Sequence, residues 1–131
     1  MSAIPAAYLD LIERPLFAHL ATVKPDSTPQ VTPVWFEWDG QFLALTTSTL
    51  RRKYHHILAN PQVALSVTDP DRPYRYLEVR GTVESIEPDE NADFFFQLAD
   101  RYHLDISRGG LDDAPHRVKV RIRPTHCSFQ G

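Results

Sequence analysis

The stretch QVTPVWFEWDGQFLALTT, Gln30–Thr47, holds two strands and the turn between them. Gln30 to Glu37 mixes β-branched and aromatic residues and reads as a strand. Asp39-Gly40 follows, a pair suited to a tight two-residue turn because both tolerate positive φ, and Gln41 to Thr47 returns as the next strand. Upstream, Leu16 to Val23 is equally β-compatible and runs into Lys24-Pro25-Asp26-Ser27-Thr28, which has the chemistry of a turn. Three consecutive antiparallel strands, a meander, therefore form the centre of the chain.

Working outward, Ala6 to Arg14 carries Tyr8, Leu9 and Ile12 on one side, with Pro5 suited to a first helical position, and predicts a short amphipathic helix closed by Pro15. On the other side of the meander, Leu50, Tyr54, Ile57 and Leu58 predict an apolar stripe on a helix that ends at Asn60-Pro61, with Arg51, His55 and Ala59 on its polar side. Val63 to Thr68 is a fourth strand, and Asp69-Pro70-Asp71-Arg72-Pro73 is a loop. Tyr74 to Ile86 is a long fifth strand in which Gly81 allows a bend or bulge. Pro88, Asp89 and Glu90 open a further helix whose apolar face is Phe94, Phe95, Leu98 and Tyr102, a packing helix. His103 to Pro115 is loop, and from Val118 the alternation of Val118, Val120 and Ile122 with cations gives a half-buried last strand. About six antiparallel strands with two or three helices predict a mainly β protein, a closed or split β-barrel forming one domain over residues 1–131.

Thr46-Thr47-Ser48-Thr49 leads into Arg51, Arg52 and Lys53 at the start of a helix. A helix N-terminus disfavours cations by about 0.3 to 1 kcal/mol each, so three of them break a local electrostatic rule. A solvated helix face is the ordinary explanation of a basic triplet. Here the hydroxyl run immediately before the cations supplies neutral donors for the same point, which is the composition of a phosphate site. Arg51 and Lys53, two apart, can reach the helix end from either side, while Arg52 has no assigned role.

Overall composition narrows the options. The 131 residues carry a formal net charge of −3, which gives no broad positive field for nucleic acid. No apolar run approaches the roughly 20 residues that span a bilayer. The start of the chain has no secretory pattern and the lone Cys127 cannot form an intrachain disulfide, so a cytoplasmic location is expected. His55 and His56 diverge by about 100° on a helix and have no i+4 ligand partner, so no metal is expected. Cys127 beside His126 reads as an inert thiol rather than a nucleophile. Arg117, Lys119, Arg121 and Arg123 share one strand face, and cross-strand pairing with Glu78 and Glu84 accounts for them. Pro33 inside a strand marks either a protected edge or a place where the backbone faces something else, such as a flat ligand. Trp35 and Trp38 suit core, interface or cofactor wall alike.

Taken together, Leu20-Ala21-Thr22-Val23, Pro29 to Trp35, Arg51-x-Lys53, Asn60-Pro61-Gln62-Val63-Ala64 and Tyr74 to Gly81 give a chain that resembles the pyridoxamine 5′-phosphate oxidase-like split β-barrel flavin and deazaflavin proteins. It resembles most the subgroup that uses coenzyme F420. The resemblance implies a homodimer with two cofactor sites between barrels. It implies that Gln30, Thr32, Pro33 and Val34 line the ring system, that Thr46, Thr47, Ser48, Arg51 and Lys53 hold the phosphate, and that Tyr74, Arg75 and Tyr76 approach from the partner or the rim. The activity implied is hydride transfer from reduced F420 to an electron-poor or conjugated small molecule. An FMN-dependent oxidase or reductase and a non-catalytic cofactor-binding, storage or sensor protein are the alternatives. No acid–base pair stands out; a proton would come from solvent or a tyrosine such as Tyr76. The chain ends Pro124-Thr125-His126-Cys127-Ser128-Phe129-Gln130-Gly131, without the Arg-x-His substrate motif of true pyridoxamine phosphate oxidases, so pyridoxal phosphate synthesis is not expected.

Overall fold

Trp35 is the corner on which the sheet turns. In the computed structural model, which describes residues 3–131, β1 (Ala18–Val23), β2 (Pro29–Val34), β3 (Phe36–Trp38), β4 (Leu43–Ser48), β5 (Gln62–Thr68), β6 (Tyr76–Pro88) and β7 (Arg117–Gln130) form one antiparallel sheet. Its order is β2-β1-β5-β6-β7-β4-β3. The two edge strands, β2 and β3, are consecutive in the chain with only Trp35 between them, so one extended segment leaves β1 and joins β4. This is the split β-barrel expected, with seven strands instead of about six because the segment expected as one strand changes partner at Trp35.

Closure requires long strands that bend. β6 and β7 pair along most of their 13 and 14 residues, with register shifts at Arg80/Gly81 and Val83/Ser85. At the first shift a Cβ on Gly81 would lie 2.6 Å from the Arg123 carbonyl oxygen, so only glycine allows the strands to approach there. The turns follow their sequence chemistry. Gly40 has φ +96°, and Asp39 Oδ1 accepts from the Gln41 and Phe42 amides at 2.8 and 2.6 Å. Inside, Leu20, Phe36, Leu45, Leu65, Leu77 and Ile122 are among the fully or nearly fully buried residues of the barrel core.

Among the described residues, three α-helices surround the sheet: α1 (Asp10–Glu13), α2 (Arg52–Ala59) and α3 (Asp93–Arg101). The expected helix over Ala6 to Arg14 is a 3₁₀ turn at Ala6–Tyr8 followed by the single turn of α1, which buries Leu11 and Ile12. Arg101 holds its C-terminal end by donating to the Ile12, Glu13 and Arg14 carbonyls. The expected stripe on α2 is corrected: Leu50 is 67% and Leu58 57% exposed, and the buried residues are His56 and Ile57. The His56 Nδ1 to Thr22 Oγ1 hydrogen bond of 3.1 Å fixes the helix rotation, which turns Leu58 outward, and Leu50 precedes the helix. α3 starts later than expected, at Asp93. Asp89 caps it from a distance, its carboxylate accepting from the Phe94 and Phe95 amides while Ala92 adopts φ +58°. Among the described residues no helix is long and apolar enough to cross a membrane.

Candidate functional site

The end of β4, the start of α2 and the Trp35 corner enclose a groove of about 290 Å³. Its apolar side is Phe17, Pro33, Val34, Trp35 and Phe95; its polar side is Thr46, Arg51, Lys53 and Arg117. Aromatic stacking fixes the first side. Trp35 lies near-parallel to Tyr102 with ring centroids 5.7 Å apart and is 5.6 Å from Phe95, while Phe17 covers Tyr102 from outside. The Tyr102 hydroxyl donates to the Leu16 carbonyl at 2.7 Å and accepts from the Phe36 amide at 3.0 Å. Burial raises its pKa, so Tyr102 stays protonated and serves as a support for the aromatic wall.

The polar side follows from a helix that begins without the usual cap. Arg51 is the N-cap residue, extended at φ −91° and ψ 147°, and no side chain caps the helix or places an acid in its first turn. Lys53 is desolvated and faces Arg51 and Arg117, and these causes, burial first, lower its pKa below the ordinary lysine value. Arg117 is 8% exposed. It donates to Thr46 Oγ1 at 2.8 Å and to Asp113 Oδ2 at 3.1 Å, and its guanidinium lies 4.8 Å from the Phe95 ring centre. Such a donor set fits an anion, and the aromatic wall beside it fits a planar group.

Of the residues singled out in the sequence, the groove brings together Pro33, Val34, Thr46, Arg51 and Lys53. Gln30 and Thr32 share a β2 face with Val34, opposite the buried Thr22 and Leu20, and Gln30 Oε1 is a buried oxygen without a hydrogen-bond partner. Thr47 shares the core face of β4 with Leu43 and Leu45, so it supports the groove from beneath. Ser48 is buried and accepts the Leu50 amide through its hydroxyl, shaping the turn into α2. Arg52 is exposed.

Tyr74, Arg75 and Tyr76 do not line this groove within the chain. Arg75 donates to Asp10 at 2.7 and 2.9 Å, to Asp69 at 2.9 Å and to the Ala7 carbonyl, tying the α1 region to the loop before β6. Tyr74 accepts from Arg72, and Tyr76 stands at the start of β6 opposite Gln130.

Arg117 and Phe95 join the groove without a local signal in the sequence, and Trp35, suited to core, interface or cofactor wall alike, lies on its apolar side. Arg117 was expected in a row of cross-strand ion pairs. Arg123 does pair with Glu84 at 3.1 Å and Arg121 pairs with Glu87, but Arg117 stands opposite Ser48 at the groove, and Lys119 caps the Phe94 ring. Glu78 bonds to Ser128 and Arg80 instead. Only the β4–β7 register, a long-range fact, reveals the place of Arg117. The Cys127 thiol has its pKa raised by burial and then by Glu78, which disfavours a thiolate.

Comparison with known proteins agrees with this architecture. The family profile described as pyridoxamine 5′-phosphate oxidase matches residues 4–131. A solved structure named F420 reductase is 53% identical, with 95% of this chain and 98% of that one covered and a TM-score of 0.92. Two more distant structures share the fold. Conserved hypothetical protein Rv2991 from Mycobacterium tuberculosis has 24% identity, 96% and 84% coverage and a TM-score of 0.75. General Stress Protein 26 from Bacillus anthracis has 23% identity, 92% and 88% coverage and a TM-score of 0.69. No curated protein matches the chain. The match over nearly its whole length, together with the split barrel itself, establishes that the chain belongs to the pyridoxamine 5′-phosphate oxidase family.

Proposed function

We propose that the chain is an oxidoreductase of the flavin- and deazaflavin-binding kind whose cofactor is coenzyme F420, and that it reduces a small electron-poor or conjugated organic molecule. The observation that carries the reading is the junction, in one groove of about 290 Å³, of a flat aromatic wall with three cations and a hydroxyl. The similarity to a protein named F420 reductase, at 53% identity over almost the whole of both chains, supports F420 as the occupant.

In this reading Arg51, Lys53 and Thr46 hold the cofactor phosphate, with Ser48 fixing the approach of Arg51. Pro33, Val34 and the unpartnered edge of β2, with Gln30 and Thr32 behind it, form the floor for the ring system, and Thr47 keeps β4 in place. Reduced F420, when bound, supplies a hydride. The protein's part is to orient ring and substrate and, through Phe17, Trp35 and Phe95, to exclude water. Tyr102 is committed to two backbone groups, so the proton comes from solvent or from Tyr76 of a second copy. A homodimer completes the site, with Tyr74, Arg75 and Tyr76 at the rim of the other subunit's groove, and the protein works in the cytoplasm.

The same phosphate grip would serve FMN. Titration followed by Trp35 and Trp38 fluorescence separates the two cofactors, and consumption of reduced F420 across enones, quinones and nitroaromatics separates an enzyme from a storage or sensor protein. Nanomolar FMN binding without F420 binding would overturn the proposal, and tight F420 binding without turnover would reduce it to a binding protein.

A further inference from the structure

We infer that Arg117 is a third ligand of the phosphate site, acting directly and through the proton of Thr46. The inference rests on the reading above only insofar as the cofactor carries a phosphate, and it holds equally for F420 and FMN.

The ordinary reading of Arg117 is a structural ion pair with Asp113, and three observations argue for more. First, the pair is incompletely satisfied: Arg117 Nε and Asp113 Oδ1 are buried without hydrogen-bond partners. A buried ion pair with unmet groups is a poor stabilising device, since desolvation offsets its attraction. Second, charge in the groove is unbalanced. Among the described residues, Arg117 is paired with Asp113, whereas no ion pair is formed by Arg51 or Lys53. Three cations against one carboxylate leave a surplus of two positive charges, enough to hold either a phosphodiester, with about one negative charge, or a phosphomonoester, with about −1.5 to −2. The lowered Lys53 pKa, to which Arg117 contributes, is the same imbalance felt at a neighbour.

Third, Arg117 sets the direction of a hydroxyl. Its Nη2 donates to Thr46 Oγ1 at 2.8 Å, so that oxygen is engaged as an acceptor and its own proton is left to donate. Thr46 lines the groove beside Arg51 and Lys53. A phosphate oxygen there receives hydrogen bonds from the Thr46 hydroxyl, from the cations of α2 and from a guanidinium N–H that neither Asp113 nor Thr46 uses.

The test compares ligands with and without the phosphate: FMN against riboflavin, and F420 against its phosphate-free deazaflavin chromophore. In Arg117→Gln the phosphate-bearing member of each pair loses about 10- to 150-fold in affinity, the range for a hydrogen bond to a charged group. The phosphate-free member changes less than about threefold on the same scale. Arg117→Lys recovers part of the loss, and Thr46→Val, which leaves the cation in place, lowers only the phosphate-bearing affinity. Equal loss for both members, or none, overturns the inference. Should Arg117→Gln not fold, Arg117→Lys and Thr46→Val carry the same comparison. A protein that prefers FMN would refute the F420 reading while leaving this ratio measurable. If neither cofactor binds, inorganic phosphate decides: it should raise the wild-type melting temperature more than that of Thr46→Val, and equal or absent shifts overturn the inference.

Discussion

Replacing Lys53 by Met keeps the length of the side chain and removes its charge, and its consequences should be opposite with and without cofactor. Lys53 lies in the first turn of α2, where the helix dipole opposes a cation by about 0.3 to 1 kcal/mol, and solvent screening keeps repulsion from Arg51 and Arg117 to a comparable size. The cofactor-free variant should therefore be more stable by about 0.5 to 1.5 kcal/mol, a rise of about 2 to 6 °C in melting temperature for a domain of this size. Affinity for F420 should fall by about 1.5 to 3 kcal/mol, roughly 10- to 150-fold. The pH dependence adds a sign. Lys53 has a lower pKa folded than unfolded, so between those values the unfolded chain holds more protons and stability rises with pH. The penalty is fully present below the folded pKa and fades toward the ordinary value of about 10.4, so the advantage of Lys53→Met shrinks at high pH. Calorimetric melts with and without cofactor, at neutral and alkaline pH, read all three effects. A variant that melts lower without cofactor and binds F420 as tightly as wild type would refute both the electrostatic argument and the site.

Other expectations concern the scaffold. Tyr102→Phe leaves the Phe36 amide and the Leu16 carbonyl without their partner, and chemical denaturation should register a loss of about 1 to 3 kcal/mol. Gly81→Ala drives a Cβ against the Arg123 carbonyl and the Ile122 side chain, an overpacking that should destabilise by about 1 to 3 kcal/mol; a neutral result would contradict the close approach of β6 and β7. Hydrogen bonding from Arg75 lowers the pKa of Asp10, so its contribution to stability is complete above the unfolded aspartate value of about 3.9 and is lost as pH falls through the folded one. Asp10→Asn should accordingly flatten the acid limb of the melting temperature against pH, and an unchanged limb would show that the contact with Arg75 is not maintained in solution.

Local chemistry made most of the barrel legible. Asp39-Gly40, the Lys24–Thr28 turn, the alternation along β7 and the glycine at the β6 bend each act within a few residues, and each has its expected place. The place of Arg51 and Lys53 at the start of α2 was legible for the same reason, since cations there conflict with the helix itself. What escaped depends on distant pairing. The rotation of α2 is fixed by a Thr22–His56 bond 34 residues apart in sequence, against an apolar stripe that favoured Leu50 and Leu58. Arg117 looks like any cation in an alternating strand until the β4–β7 register sets it opposite Ser48. The start of α3 was placed too early because Asp89 looked like a first-turn acid, whereas it caps the helix from four residues before Asp93.

We propose the groove beside α2 as a deazaflavin site. Its most direct test is equilibrium titration of the wild-type protein with F420 and, separately, with FMN, followed by tryptophan fluorescence. A deazaflavin site there gives saturable F420 binding, tighter than FMN binding and weakened by Lys53→Met. Undetectable F420 binding beside tight FMN binding, or F420 binding indifferent to Lys53, would contradict it.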